Sequence, residues 1–186
     1  MYFVRAVAES SAVIAACEQW EKRGDEGLVP VDALREFIPS AKDKGWLSVF
    51  EVAELADARQ VAAASTVHRG QRSKQRRVFL AAEVERFKDL GLQVRANAGA
   101  FSCPTVDGWH REIEISTYDD AVRLARLFLN GEIQVCEPKD VGNAATDAAR
   151  TGAFVFAKLA EKPESWSFLR DYAIGGIVQV SGSASQ

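Results

Sequence analysis

The side chains best suited to acid–base chemistry occur in one short stretch of alternating polar residues. His110, Glu112 and Glu114 alternate with Arg111 and Ile113 in the sequence. Successive side chains of a strand point to opposite faces, so a strand here would place the histidine and both carboxylates on one face. An imidazole and a carboxylate can exchange protons with a substrate, and one histidine with two carboxylates could also hold a divalent metal ion. These three residues are therefore the candidate catalytic set of the chain.

The most concrete reaction for this set is metal-independent cleavage of RNA by His110 and Glu112. The carboxylate would take the proton of a ribose 2′-hydroxyl, and arginines from a loop would stabilise the charged transition state. The simpler interpretation is that the alternating polar residues form the solvent-exposed face of a strand. We favour the simpler interpretation because it requires no further residues, and the ribonuclease stays an alternative hypothesis.

A second candidate site is the basic segment at positions 68–77, whose sequence is HRGQRSKQRR. Its cations are Arg69, Arg72, Lys74, Arg76 and Arg77. Such a cluster on a loop could neutralise several phosphates, which would make nucleic-acid binding salt-dependent. No aromatic residue is interleaved to stack on unpaired bases. The alternative is a solvated loop, or one that meets an acidic protein surface.

Trp109 is the candidate anchor for a protein partner. It follows Gly108 at the start of the predicted strand, and tryptophan is common at the centre of protein–protein interfaces. The alternative is that its indole packs in the core. Because packing signals outweigh catalytic ones, we expect a non-catalytic accessory or adaptor protein, with a nucleic-acid-handling assembly as one setting. Direct nucleic-acid binding is the second hypothesis, and the ribonuclease is the third.

Composition argues against several other classes of function. The chain has 186 residues, of which 47% are hydrophobic and 26% are charged, with a formal net charge of −3. This balance is typical of a globular protein and not of one that coats nucleic acid or membrane with its whole surface. The sequence contains no GxGxxG, GxxxxGK[ST], GxSxG or HExxH motif. Common nucleotide, hydrolase and metalloprotease sites are therefore not expected.

The cysteine and histidine content argues against a zinc-finger site or a disulfide framework. Cys17, Cys103 and Cys136 are widely spaced, and two histidines cannot complete a zinc finger. We therefore expect reduced thiols and no cofactor. The first 16 residues lack an export signal, and no apolar run is long enough to cross a bilayer. These features predict a cytoplasmic protein that does not enter the membrane.

The residues named above must be positioned by a sheet and its covering helices. The clearest unit runs from about 109 to 137, where a strand, a helix capped by Thr117 and a second strand form a βαβ unit. Positions 46–52 predict a central strand because apolar residues occupy both faces. The segment from Phe79 onward predicts a helix that ends at Gly91.

The whole pattern predicts a single α+β or α/β domain. We expect one mixed sheet of about five or six strands with helices packed on it. The domain would span residues 1–180, with a last strand at 177–180. A small polar tail at 181–186 is expected to be flexible.

Overall fold

A computed structural model of the chain describes residues 1–7, 11–23, 28–68, 76–98, 101 and 103–151. Its strands are β1 (Tyr2–Val7), β2 (Trp46–Val52), β3 (Arg77–Glu83), β4 (Val94–Ala96), β5 (His110–Glu114) and β6 (Glu132–Cys136). Its helices are α1 (Ser11–Arg23), α2 (Val31–Arg35), α3 (Ala58–His68), α4 (Val84–Lys88), α5 (Pro104–Trp109), α6 (Tyr118–Leu129) and α7 (Pro138–Arg150). Two 3-10 turns lie at Ala41–Asp43 and Leu55–Asp57.

The strands form one six-stranded sheet in the order β4-β5-β2-β1-β3-β6. Each neighbouring pair is antiparallel. The predicted class, an α+β domain with a single sheet of five or six strands, is confirmed. The sheet is antiparallel throughout rather than mixed in strand direction.

Helices cover both faces of the sheet, and each face has its own apolar core. The front face carries Phe3, which lies in one buried cluster with residues of α1, α2, α4 and α6. The back face carries Val4, which lies in a second cluster with residues of α3, α5 and α7. Phe3 and Val4 are adjacent in β1, so the alternation of a strand divides them between the two cores. A strand buried on both faces has a nearly continuous apolar sequence, and the β1 sequence YFVRAV is apolar except at Arg5.

The predicted βαβ unit is confirmed as β5, α6 and β6. Helix α6 begins at a capping box in which the Thr117 side chain accepts from the Asp120 N–H and the Asp120 side chain accepts from the Thr117 N–H. Its apolar stripe, which includes the buried Leu124 and Phe128, packs on the front face. Three strands separate β5 from β6. Four antiparallel pairings therefore return β6 to the direction of β5, and α6 crosses the strands between them.

The helix predicted from Phe79 onward is wrong at its start. Phe79 lies within strand β3, and a helix, α4, begins only at Val84. Residues Val78 to Ala82 are all buried, because β3 lies inside the sheet with a core on each side. A short continuous apolar run fits a buried strand and a buried helix equally well, so periodicity could not separate them.

The segment before β5 also differs from the sequence-based expectation. Trp109 is the last residue of α5 instead of the first residue of a strand. Pro104 occupies the first turn of this helix, where its missing N–H and fixed φ carry little penalty. The predicted strand at 177–180 and tail at 181–186 lie outside the described residues. In the part of the chain that is described, no helix is long and apolar enough to span a membrane.

Candidate functional site

Strand β5 brings the three candidate catalytic residues to one face of the sheet. His110 pairs with Phe50, Glu112 with Ser48 and Glu114 with Trp46 across the β2–β5 ladder. Phe50 belongs to the back-face core, so all three side chains lie on the back face. The alternation read from the sequence is therefore present in the structure.

His110 is buried among aromatic rings. Its side chain is only 5% exposed. The imidazole stacks on Phe50 with ring centroids 5.2 Å apart, and Phe101 approaches edge-on at 5.4 Å. Its Nδ1 lies 2.8 Å from the backbone carbonyl oxygen of Asn97. A carbonyl can only accept, so Nδ1 is the donor in this contact.

Glu112 is the centre of a polar network that joins three strands. Its Oε2 accepts from Nε of Arg95 at 2.8 Å, and its Oε1 accepts from Nδ2 of Asn97 at 2.8 Å. The Arg95 guanidinium in turn lies over the Trp46 ring, 3.7 Å from its centroid. Charge-assisted hydrogen bonds of this kind are stronger than neutral ones. The network fastens the short edge strand β4 to β5 and β2.

Asn97 links the two central candidates, and Glu114 stands apart from them. Asn97 contacts His110 through its carbonyl oxygen and Glu112 through its side-chain amide. Glu114 lies one pleat farther along β5, where its backbone N–H donates to the Gln93 carbonyl oxygen at 3.0 Å. The histidine and one glutamate thus share a neighbour, and His110 Nδ1 and both Glu112 carboxylate oxygens make contacts that hold the edge of the sheet.

The basic segment lies mostly outside the described residues. This applies to Arg69, Arg72 and Lys74. Arg76 is exposed immediately before β3, and Arg77 is the partly buried first residue of that strand. Phosphate contact by this segment stays a prediction.

The candidate anchor Trp109 is partly buried and packs against the back-face core. Its indole therefore packs against the core at the end of α5, as the alternative interpretation from the sequence expected. Interface residues can bury one edge of an indole and expose another. Its role in binding a partner stays a prediction.

The three cysteines are buried thiols that are not joined in disulfides. Burial raises the pKa of the Cys136 thiol to about 11, so that thiol is protonated and weakly nucleophilic at neutral pH. Within the described residues, no three His, Cys, Asp or Glu side chains are close enough to hold a metal ion.

Sequence reasoning did not identify an apolar groove at the start of α6. We call it the Ile38–Tyr118 groove, a hollow of about 300 Å³ lined by Ile38, Pro39, Gly45, Ile115, Ser116, Thr117, Tyr118 and Ala121. Ile38 is 47% exposed and Tyr118 is 68% exposed. The groove is assembled from segments far apart in the chain, so no local pattern could have indicated it.

A second hollow, of about 340 Å³, lies between α3 and α7. Its lining residues are Ala56, Arg59, Gln60, Ala63, Cys103, Ala144, Asp147, Ala148 and Thr151. The small residues Ala144 and Ala148 lie four positions apart in α7 and allow it to lie close to α3. The same small side chains leave the space between the two helices incompletely filled.

Known proteins of similar sequence or structure could indicate what this site does. Comparison of the chain with protein-family models, curated proteins and solved structures finds no match in any of the three. The function proposed below is inferred from the residues of this chain and their contacts.

Proposed function

We propose that the chain is a non-catalytic accessory or adaptor protein that binds another protein through the Ile38–Tyr118 groove. The observation that carries the proposal is the exposure of two large apolar side chains beside one apolar hollow. Single exposed apolar residues are ordinary on protein surfaces, whereas a clustered pair around a concave site is typical of interaction sites. A partner that buries both side chains would remove them from water.

The groove is held by backbone contacts that do not depend on a partner. The Ile115 N–H donates to the Gly45 carbonyl oxygen at 2.8 Å. Tyr118 follows Thr117, whose capping box fixes the first turn of α6. A preformed site loses little conformational entropy when it binds, which favours affinity.

The chemistry of the groove favours an apolar side chain of a partner protein. The residues next to the lining in sequence carry both charge signs, since Lys44 precedes Gly45 and Asp119, which pairs with Arg123 at 3.1 Å, follows Tyr118. Neighbours of mixed charge attract neither polyanions nor polycations strongly. The occupant we propose is a segment that inserts one large apolar residue between Ile38 and Tyr118.

The test is co-purification of the tagged protein from its native host. Wild type should carry a stoichiometric partner, and Tyr118→Asp and Ile38→Asp should each lose it. Burial of a charge at an interface anchor typically costs about 2 kcal/mol or more, which weakens binding at least about tenfold. Leu28→Asp is the matched control, since Leu28 is 86% exposed and does not line the groove.

Two results would contradict this proposal. Wild type could purify only as the free chain, or both groove variants could retain the partner as Leu28→Asp does. Circular dichroism of each variant separates loss of binding from loss of fold.

Nucleic-acid binding is the second candidate function, because five cations fall within positions 69–77 and the described Arg76 is exposed. Its test is an electrophoretic shift panel with RNA, single-stranded DNA and duplex DNA at two salt concentrations. Neutralising Arg69, Arg72, Lys74 and Arg76 to glutamine should weaken binding and flatten its salt dependence. Unchanged affinity and salt slope would remove the segment from consideration.

The same panel tests the ribonuclease hypothesis, with His110→Phe as the variant. Phenylalanine keeps an aromatic ring against Phe50 and Phe101 but removes both ring nitrogens. Cleavage that disappears in this folded variant would favour a catalytic His110. Cleavage that persists would exclude His110 from the reaction.

A further inference from the structure

Strand β6 forms one edge of the sheet and presents apolar side chains there. In the described part of the chain it pairs with β3 alone. Ile133 is 38% exposed and Val135 is 37% exposed, and both lie on the front face. Edge strands are commonly protected by charged side chains, proline or a bulge. The β6 sequence EIQVC has a single charge, the exposed Glu132 at its first residue, and no lysine or proline.

The ladder shows which backbone groups of β6 face outward. The Val84 N–H donates to the Met1 carbonyl oxygen at 3.2 Å, and the β1–β3 register is continuous from that point. Even-numbered residues of β3 therefore direct their backbone groups to β1, and odd-numbered ones direct theirs to β6. The β6 partners of those odd-numbered residues include Gln134. Ile133 and Val135 consequently present their N–H and C=O groups at the edge.

We propose that two copies of the chain pair β6 with β6 in antiparallel orientation, about a two-fold axis at Gln134. In this register Ile133 lies opposite Val135 of the second copy, and Val135 lies opposite its Ile133. Both pairs are hydrogen-bonded pairs, so the outward N–H groups of these residues and the Ile133 carbonyl oxygen gain partners. The Val135 carbonyl oxygen, which already accepts from Nε2 of Gln134 at 3.0 Å, gains a second donor. The sheet then continues through both molecules.

Side-chain chemistry favours this register over the two registers whose axis is shifted by one residue. An axis at Gln134 stacks isoleucine on valine twice on the front face, and such cross-strand apolar pairs stabilise a sheet. It also sets Glu132 opposite Cys136, so no like charges meet. An axis at Val135 would place Ile133 opposite Glu137, and an axis at Ile133 would leave Val135 beyond the start of the partner strand.

The dimer is expected to be reversible. A five-residue edge buries far less than the roughly 1,200 Å² that stable interfaces usually cover. The interface lies at the opposite side of the sheet from β5, so it leaves the Ile38–Tyr118 groove open. This inference is therefore independent of the proposed function.

The first experiment is sedimentation velocity over a range of protein concentrations. Wild type should pass from monomer to dimer as concentration rises. Ile133→Lys and Val135→Pro should each raise the dissociation constant at least about tenfold. Proline at 135 removes an N–H that faces outward, a change that edge strands tolerate. Val94→Lys is the matched control, because Val94 is equally exposed, at 38%, on the other edge strand, and it should dimerise as wild type does.

A second experiment tests the register. Gln134→Cys should give a disulfide-linked dimer under mild oxidation, because a non-hydrogen-bonded pair on the axis has Cα atoms about 4.5 Å apart. Val94→Cys should not, and the natural cysteines are buried.

Three outcomes would overturn the proposal. Wild type could stay monomeric at every concentration, or Ile133→Lys and Val135→Pro could dimerise as wild type does. The third is a monomer whose Ile133 and Val135 amides are protected from hydrogen exchange and lose that protection when residues 177–186 are deleted. That result would assign the edge to the same chain.

Discussion

Arg5 joins three elements through its guanidinium group. Its Nε donates to the Glu36 carbonyl oxygen at 2.6 Å, and its Nη1 donates to the Ser48 carbonyl oxygen at 2.7 Å. These bonds connect β1 with β2 and with the residue that follows α2. Burial lowers the pKa of Arg5 to about 10, and Glu36 and Asp43 oppose that shift. The group therefore remains charged at neutral pH.

Replacement of Arg5 by methionine should destabilise the fold. Hydrogen bonds to a charged group each contribute about 1.5–3 kcal/mol, and the variant leaves two carbonyl groups without a donor. We expect the free energy of unfolding in urea to fall by about 2–3 kcal/mol. Arg35→Met is the control, because the Arg35–Asp32 ion pair is 3.7 Å long and exposed, and it should change stability by less than about 0.5 kcal/mol. Equal effects of the two changes would contradict the structural role of Arg5.

Asp120 makes the stability of α6 depend on pH. Its Oδ2 accepts from the N–H groups of Thr117 and Ser116, and its Oδ1 accepts from Arg123. The pKa of this carboxyl lies below its ordinary value of 3.8, and the largest cause is its hydrogen bonding with Thr117. Because the folded-state pKa is lowered, the stabilisation is complete above pH 3.8 and is lost as pH falls through the folded-state pKa.

Asp120→Ala should therefore cost about 1–2 kcal/mol of unfolding free energy at pH 7. The difference from wild type should shrink as urea titrations are repeated at decreasing pH below 3.8. Asp119→Ala is the control, since the Asp119 side chain is 78% exposed. A difference that stayed constant down to the acid transition would show that the ionised carboxylate is not the stabilising form.

At the scale of the element, Gly131 sets how closely the end of α6 can approach the sheet. A Cβ atom at this position would lie 1.8 Å from the Ala81 carbonyl oxygen in β3. That oxygen belongs to the backbone of an interior strand and cannot move aside. Gly142, inside α7, is the opposite case, because a Cβ there would meet no atom within 4 Å.

Glycine-to-alanine substitution should consequently have opposite signs at the two positions. Gly131→Ala should lower the unfolding free energy by about 1–3 kcal/mol or more through overpacking. Gly142→Ala should raise it by about 0.5–1 kcal/mol, because alanine favours a helix interior. Thermal and urea unfolding of the two variants measure these changes in stability. If both substitutions destabilised the protein, α7 would require glycine at position 142.

The elements that the sequence predicted correctly are those with a strong local signal. The β5–α6–β6 unit has a capping residue, Thr117, and a clear change from two-residue to helical periodicity. The start of β3 has no such signal, since its consecutive apolar residues follow from burial by helices distant in sequence. Strand order could not be predicted, because it depends on which of several similar apolar strands meet in space.

The candidate site also has one part that could be predicted from the sequence and one part that could not. The shared face of His110 and Glu112 follows from a two-residue period and was predicted. Their partners Asn97 and Arg95 come from another strand and its flanking residue, so the network that holds them was not. The Ile38–Tyr118 groove is likewise tertiary in origin.

At the scale of the whole molecule, β1 is the strand on which both layers depend. It pairs with β2 on one side and β3 on the other. Its Phe3 enters the front core and its Val4 enters the back core. Neither layer can separate from the sheet without exposing one side of this strand. Strand β4 is the opposite case, since its three residues are exposed and, among the described strands, pair only with β5.

Native-state hydrogen exchange should therefore divide the sheet by position. Amides of β1 and the β1-facing amides of β3 should exchange only through global unfolding, so their exchange free energies should fall with denaturant at the slope of the whole molecule. Amides of β4 should exchange through local opening, with little dependence on denaturant. Arg95→Ala should increase β4 exchange alone, because it removes the bond to Glu112 and the contact with Trp46. If β1 exchanged as readily as β4, the front and back layers would open separately, and the central strand would not unite them into one cooperative unit.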